Sequence, residues 1–264
     1  MKYNIYQVDA FAEKLFGGNP AAVVPLEHWL PDAVLQQIAA ENNLAETAFF
    51  VKTNEAYHLR WFTPENEINL CGHATVATAF VMYQFLSYAG EEIIFESKSG
   101  KLTVHRKEDL FILNFPAYQI SPVEVTNDIL AAVGKTPTEA FQMNNDLMLV
   151  YHDEPSVKML NPDFGKMKQC VPRAILVTGP SVSADFVYRF FAPKMGIDED
   201  PATGSAQCSL MPYWSARLNK SVLSSIQLSR RQGFLTGAML GDRVEISGKA
   251  FLYLKGEIER SEEH

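Results

Sequence analysis

The chain has 264 residues, 47% of them hydrophobic and 20% charged, the balance of a folded protein with a substantial core. A net charge of −8 and a pI of about 5.3 give it no basic face of the kind that bulk nucleic-acid binding requires. Three scattered cysteines, Cys71, Cys170 and Cys208, supply neither a disulfide framework nor zinc-ligand spacing, which points to a reducing, cytoplasmic setting.

The opening Met1-Lys2-Tyr3-Asn4-Ile5 carries no apolar signal core, and no apolar run is long enough to span a bilayer. A strand is expected over residues 3–10, a turn at Gly17-Gly18-Asn19-Pro20, and a strand over 21–25. Pro31 and Asp32 open a helix to about residue 42, with Val34, Leu35, Ile38 and Ala39 on one stripe. Residues 47–52 and 57–62, rich in aromatic and β-branched side chains, read as strands. The helix expected after Gly72 is apolar nearly all round, so it should be buried. Strands follow at 92–96, 101–106 and 110–115, and residues 116–122 read as a linker.

In the second half, a short helix over 125–133 stops at Gly134 and Pro137. Strands are expected at 147–151, 174–178, 185–191, 226–230, 243–247 and 251–254. A second buried helix covers 208–218 and contains Pro212, which should kink it. The expected class is α+β. It has two pseudo-repeated halves, 1–117 and 118–264, each a curled mixed or antiparallel sheet around a central buried helix. Residues after about 250 are expected to pack back onto the first half.

Two stretches carry the same device. Leu70-Cys71-Gly72-His73-Ala74-Thr75 and Ala202-Thr203-Gly204-Ser205-Ala206 each turn through glycine into a helix, and the glycines stand half the chain length apart. A helix start leaves backbone N–H groups unpaired and favours an anion. Two such starts suggest one cleft between the halves, holding a small acid. Nucleotide motifs fail: Gly134-Lys135-Thr136 has Ile129 where a phosphate loop needs glycine, and no G-x-G-x-x-G or G-x-S-x-G run occurs.

Each candidate residue has a bland reading beside a chemical one. Glu46 is either an exposed strand-end carboxylate or a desolvated carboxyl able to accept and donate a proton near neutral pH. His73 is either a core histidine or a proton partner facing the cleft. Asp200 is either part of the acidic Asp198-Glu199-Asp200 loop or a ligand fixed by the restraint of Pro201. Ser205 caps its turn or binds an anion, and Cys71 is a helix-start thiolate or, like Cys208, a small buried hydrophobe.

In this order the residues resemble the PhzF (phenazine biosynthesis) family. The likeness runs through Val8-Asp9-Ala10-Phe11, Gly18-Asn19-Pro20-Ala21-Ala22-Val23, Glu46-Thr47-Ala48-Phe49 and Arg60-Trp61-Phe62-Thr63-Pro64. It continues through residues 67–75, Phe191-Ala192-Pro193, 196–206, Pro212-Tyr213-Trp214 and Asp242-Arg243-Val244, and so spans nearly the whole chain. The resemblance implies a diaminopimelate-epimerase-like fold with the active site in the crevice between two similar halves. It implies Glu46 as the acid/base, His73, Asp200 and Ser205 lining the site, and the amides of Gly72 and Gly204 holding the substrate's acid group. The phenazine enzyme isomerises a dihydro-hydroxyanthranilic acid by moving a proton and shifting double bonds without a cofactor, and the family suggests a homodimer.

Three positions depart from the pattern. The related epimerases use two cysteines; Cys71 matches the first, but the second falls near Pro201. Asn69 stands where an acid is common, and Gln207 where histidine is common. The resulting expectation is a cofactor- and metal-independent isomerase acting on a small carboxylic acid, with no nucleic-acid or membrane partner. The alternatives are a two-base racemase using Cys71 and a non-catalytic binder of small acids.

Overall fold

The computed structural model describes residues 1–171 and 173–260. The chain divides into two compact units: residues 1–114 with the stretch from Ser247 onward, and residues 115–246.

The first unit contains β1 (Lys2–Ala10), β2 (Asn19–Leu26), α1 (Asp32–Asn42), β3 (Glu46–Lys52), β4 (Tyr57–Phe62) and β5 (Glu67–Ile68). After these come α2 (Gly72–Phe85), β6 (Glu92–Ser97), β7 (Gly100–Lys107), β8 (Leu110–Pro116) and, from the C-terminal end, β17 (Ala250–Glu259). Its sheet runs β17-β1-β2-β3-β4-β6-β7-β8. The β2–β3 and β4–β6 pairs are parallel and the others antiparallel.

Local chemistry explains the joints. Gly18 sits at φ +61°, and a Cβ there would lie 2.1 Å from the Ala10 carbonyl oxygen, so only glycine lets β1 turn tightly into β2. Helix α1 ends on Asn43 in the left-handed conformation, whose N–H closes on the Ala39 and Ala40 carbonyls. Helix α2 buries nine side chains from His73 to Met82, as its unbroken apolar surface requires. Val24, Leu35, Phe49 and Phe62 form the packed cluster under α1.

The second unit contains β9 (Ser121–Pro122), α3 (Asn127–Val133), β10 (Glu139–Met143), β11 (Asp146–Val150), α4 (Glu154–Lys158), α5 (Phe164–Cys170) and β12 (Ala174–Pro180). It continues with β13 (Phe186–Phe191), a 3₁₀ turn (Gly204–Ala206), α6 (Gln207–Leu218), β14 (Val222–Gln227), β15 (Gly233–Leu240) and β16 (Arg243–Gly248). The sheet runs β9-β10-β11-β12-β13-β14-β15, with β11–β12 and β13–β14 parallel. The order of directions is therefore anti, anti, parallel, anti, parallel, anti, the same as from β17 to β7 in the first unit.

Several sequence expectations need correction. The strand expected at 226–230 is β14 at Val222–Gln227; beyond it Ser229 turns the chain, its hydroxyl donating to the Pro201 carbonyl at 2.7 Å. The sequence analysis expects no strand where β15 lies, and glycines such as Gly233 and Gly237 are weak strand formers. Gly237 in fact lies where a Cβ would meet Met211 Sδ at 2.3 Å, a close helix–sheet approach. Helices α4 and α5 are short and start on Asp153 and Asp163, each accepting an N-cap hydrogen bond. Residues 116–122 are not free linker, since β8 and β9 occupy both ends.

Pro212 lies inside α6, where it cannot donate to the Cys208 carbonyl one turn back. The Tyr118 N–H takes that carbonyl instead, at 2.8 Å. Trp214 stacks on Phe186 with ring planes 5° apart and donates to Thr178 Oγ1 at 3.0 Å.

Candidate functional site

In the first unit, Glu46 is the first residue of β3, beside Ala21 of the parallel strand β2. The apolar run Ala48-Phe49-Phe50 behind it is buried and fixes its place. Glu46 is itself only 9% exposed. Helix α2 begins with Cys71 in extended conformation, and both the N–H and the hydroxyl of Thr75 return to the Cys71 carbonyl. That turn directs His73 inward.

His73 Nε2 lies 3.0 Å from Glu46 Oε2, a buried ion-pair distance. Cys71 Sγ is 3.5 Å from His73 Nδ1 and 3.9 Å from Nε2. Glu46, Cys71 and His73 thus offer three unlike donor atoms within 4.8 Å of one another.

Electrostatics separates their roles. Burial pushes the Cys71 thiol up to about 11, helped by the Glu46 charge, so near neutrality it is a thiol. Burial alone would lower His73, but its acidic neighbours Cys71 and Glu46 reverse this and hold the imidazole well above its ordinary value.

In the second unit, the Asp200 carboxylate accepts the Thr203 hydroxyl. Gln227, fully buried, clamps the same loop: its Oε1 accepts the Thr203 N–H at 2.6 Å and its Nε2 donates to the Asp200 carbonyl at 2.6 Å. Gly204 is buried and Ser205 exposed, at the start of the 3₁₀ turn leading into α6. Neither this turn nor α2 has a side-chain cap, so both starts present amides of the kind that bind anions. Gly72 is not demanded by packing, since an added Cβ would meet only Leu113 Cδ1, at 3.8 Å.

The structure brings Glu46 and His73 together and adds Cys71 to them; it joins Asp200 to Thr203. Cys208 is buried, its thiol pushed up to about 12 by desolvation. Gln207 is fully buried and donates to Ser225 Oγ at 3.0 Å, while Asn69 is exposed. Sequence reasoning missed Thr203 and Gln227. The usable signals were a hydroxyl residue directly before a helix-start glycine, and an amide on the same alternate positions as Leu223 and Ser225 in β14.

The profile of the family described as phenazine biosynthesis-like protein matches residues 8–256. An uncharacterized isomerase of Pseudomonas aeruginosa is 44% identical, covering 99% of this chain and 100% of its own. The crystal structure of a PhzF-family phenazine biosynthesis protein from Enterococcus faecalis is 49% identical with a TM-score of 0.96, covering 98% of this chain and all of that one. A predicted epimerase from Pseudomonas aeruginosa shares the fold at 19% identity and a TM-score of 0.71, over 98% of this chain and 100% of its own. Among the described residues, no helix is long and apolar enough to cross a membrane.

Proposed function

The chain belongs to the phenazine biosynthesis-like (PhzC-PhzF) family, and from that premise we propose that it is an isomerase that moves a proton, and with it a double bond, in a small carboxylic acid. The observation that carries this reading is the buried Glu46–His73 pair at 3.0 Å. Glu46 takes a proton from a carbon next to the unsaturated or carboxyl-bearing group and returns it to another carbon of the same skeleton. His73, held as imidazolium, keeps the carboxylate oriented and offers a donor to the charge that develops on substrate oxygen. In the first unit the uncapped helix start at Gly72 offers amides to the substrate carboxylate; in the second unit the start at Gly204 and Ser205, on the loop that carries Asp200, is a set of the same kind. These groups suffice for the transfer without a cofactor.

The test is solvent deuterium uptake by a panel of small unsaturated acids, followed by NMR. Exchange into carbon-bound positions is expected, and Glu46→Gln should lower its rate by about 10²–10⁴. Near-full exchange in Glu46→Gln overturns the assignment, and tight binding without exchange would make the protein a binder. Against a two-thiol epimerase stands the lack of a thiol near Pro201, where the resemblance puts the second cysteine, so Cys71→Ala should cost far less turnover than Glu46→Gln.

A further inference from the structure

We propose that Glu46, Cys71 and His73 form a binding site for a soft divalent cation such as Zn²⁺ or Cd²⁺, and that an ion seated there shuts the site off. The inhibitory half rests on the isomerase reading above; the binding half does not. Thiolate, imidazole and carboxylate are the three ligand types that such ions favour, and three protein ligands with one open position is their open-site arrangement.

The geometry is close to what is needed. A tetrahedral centre with bonds of about 2.0 Å to N and O and about 2.3 Å to S sets its donors roughly 3.3–3.5 Å apart. His73 Nε2 already stands 3.0 Å from Glu46 Oε2 and 3.9 Å from Cys71 Sγ, on either side of those values. Small side-chain rotations close the set. Glu46 Oε2 has His73 Nε2 as its neighbour at 3.0 Å, on a side chain only 11% exposed, so the carboxylate is already aimed at the imidazole that would share the ion. Residual exposure of 6% at both Cys71 and His73 leaves the donors reachable.

Binding forms three metal–ligand bonds and expels the Cys71 thiol proton and the proton on His73 Nε2 to solvent. The ion then occupies the lone pair through which Glu46 would accept a proton, and removes the imidazolium that orients it. Cys71 thereby gains a role that the proton transfer does not give it.

The experiment titrates Cd²⁺ into the chelator-treated full chain and follows the ultraviolet thiolate-to-cadmium charge-transfer band. The expected result is a band saturating at one ion per chain. It should persist in the Cys170→Ala/Cys208→Ala double variant and vanish in Cys71→Ala. Glu46→Gln should weaken binding by about tenfold or more, since even losing a supporting group beyond the ligands typically has that effect. A band that survives Cys71→Ala, or no band in the unaltered chain, overturns the site, and circular dichroism of each variant checks that it is folded. Deuterium exchange measured alongside separates the two ideas. Exchange lost in Glu46→Gln with no cadmium band removes only the metal site. A band with exchange undisturbed sustains the metal site and removes Glu46 from the proton transfer.

Discussion

His73 shows how one buried contact sets a pH response. Its imidazole is held above the ordinary value of 6.5, so the stabilisation it brings is complete below that value in the unfolded chain. It is lost as pH rises through the higher folded-state value. Denaturant unfolding of the unaltered protein should therefore weaken on going from pH 6.5 into the alkaline range, and His73→Gln should flatten that slope. Gln227 makes a contrasting point, because it holds backbone rather than charge. Gln227→Leu keeps the volume but leaves the buried Thr203 N–H and the Asp200 carbonyl without their partner. A loss of about 2–6 kcal/mol is expected in urea unfolding, at about 1–3 kcal/mol for each of the two hydrogen bonds removed. Of these residues, Glu46 and His73 could be singled out from a strand mouth and a helix-start glycine. Cys71 could not be placed beside them, since a two-residue spacing across a helix start does not fix where a thiol points.

At the scale of elements, legibility follows periodicity. The strand β4 and the helix α1 lie within a residue or so of where pattern puts them, and α2 begins at the glycine that marks it, its burial following from an apolar surface with no polar face. Strand β15 was invisible because its glycines serve the packing of Met211, a tertiary fact. The end of β14 was misplaced because Leu228 continues the apolar pattern while Ser229 already forms the turn. Gly18 is a joint that the sequence does mark. Gly18→Ala would drive a Cβ into the Ala10 carbonyl oxygen and impose a left-handed φ on a residue with a side chain. A loss above about 3 kcal/mol is expected, since strain and clash add, and a thermal melt would show it. A melt unchanged within a degree or two would mean that the β1–β2 turn has another conformation available.

For the whole molecule, resistance to acid depends on carboxylates whose partners hold them below their usual range. Glu67 is the clearest. Both its oxygens accept from Arg60 at 2.8 Å, Lys98 adds a contact at 2.6 Å, and Arg60 is sandwiched between Trp29 and Phe62. Arg60 foremost holds Glu67 down to about 2, against 4.5 when unfolded. Its contribution is present above pH 4.5 and disappears as pH falls toward 2. Glu67→Gln should cost about 2 kcal/mol at pH 7 and shallow the acid limb of the stability curve; an acid limb of unchanged steepness would show that other carboxylates govern it. The pairing of β17 with β1 carries the last consequence. Lys2 faces Glu259 and Ala10 faces Ala250, so the opening strand finds one of its two neighbours only in the final residues of the chain. On the ribosome, everything needed for the second unit's sheet has emerged before that neighbour exists. The later half can thus mature first, while the earlier half waits with an unsatisfied strand edge, a window in which a chaperone or a stray β-segment could occupy it.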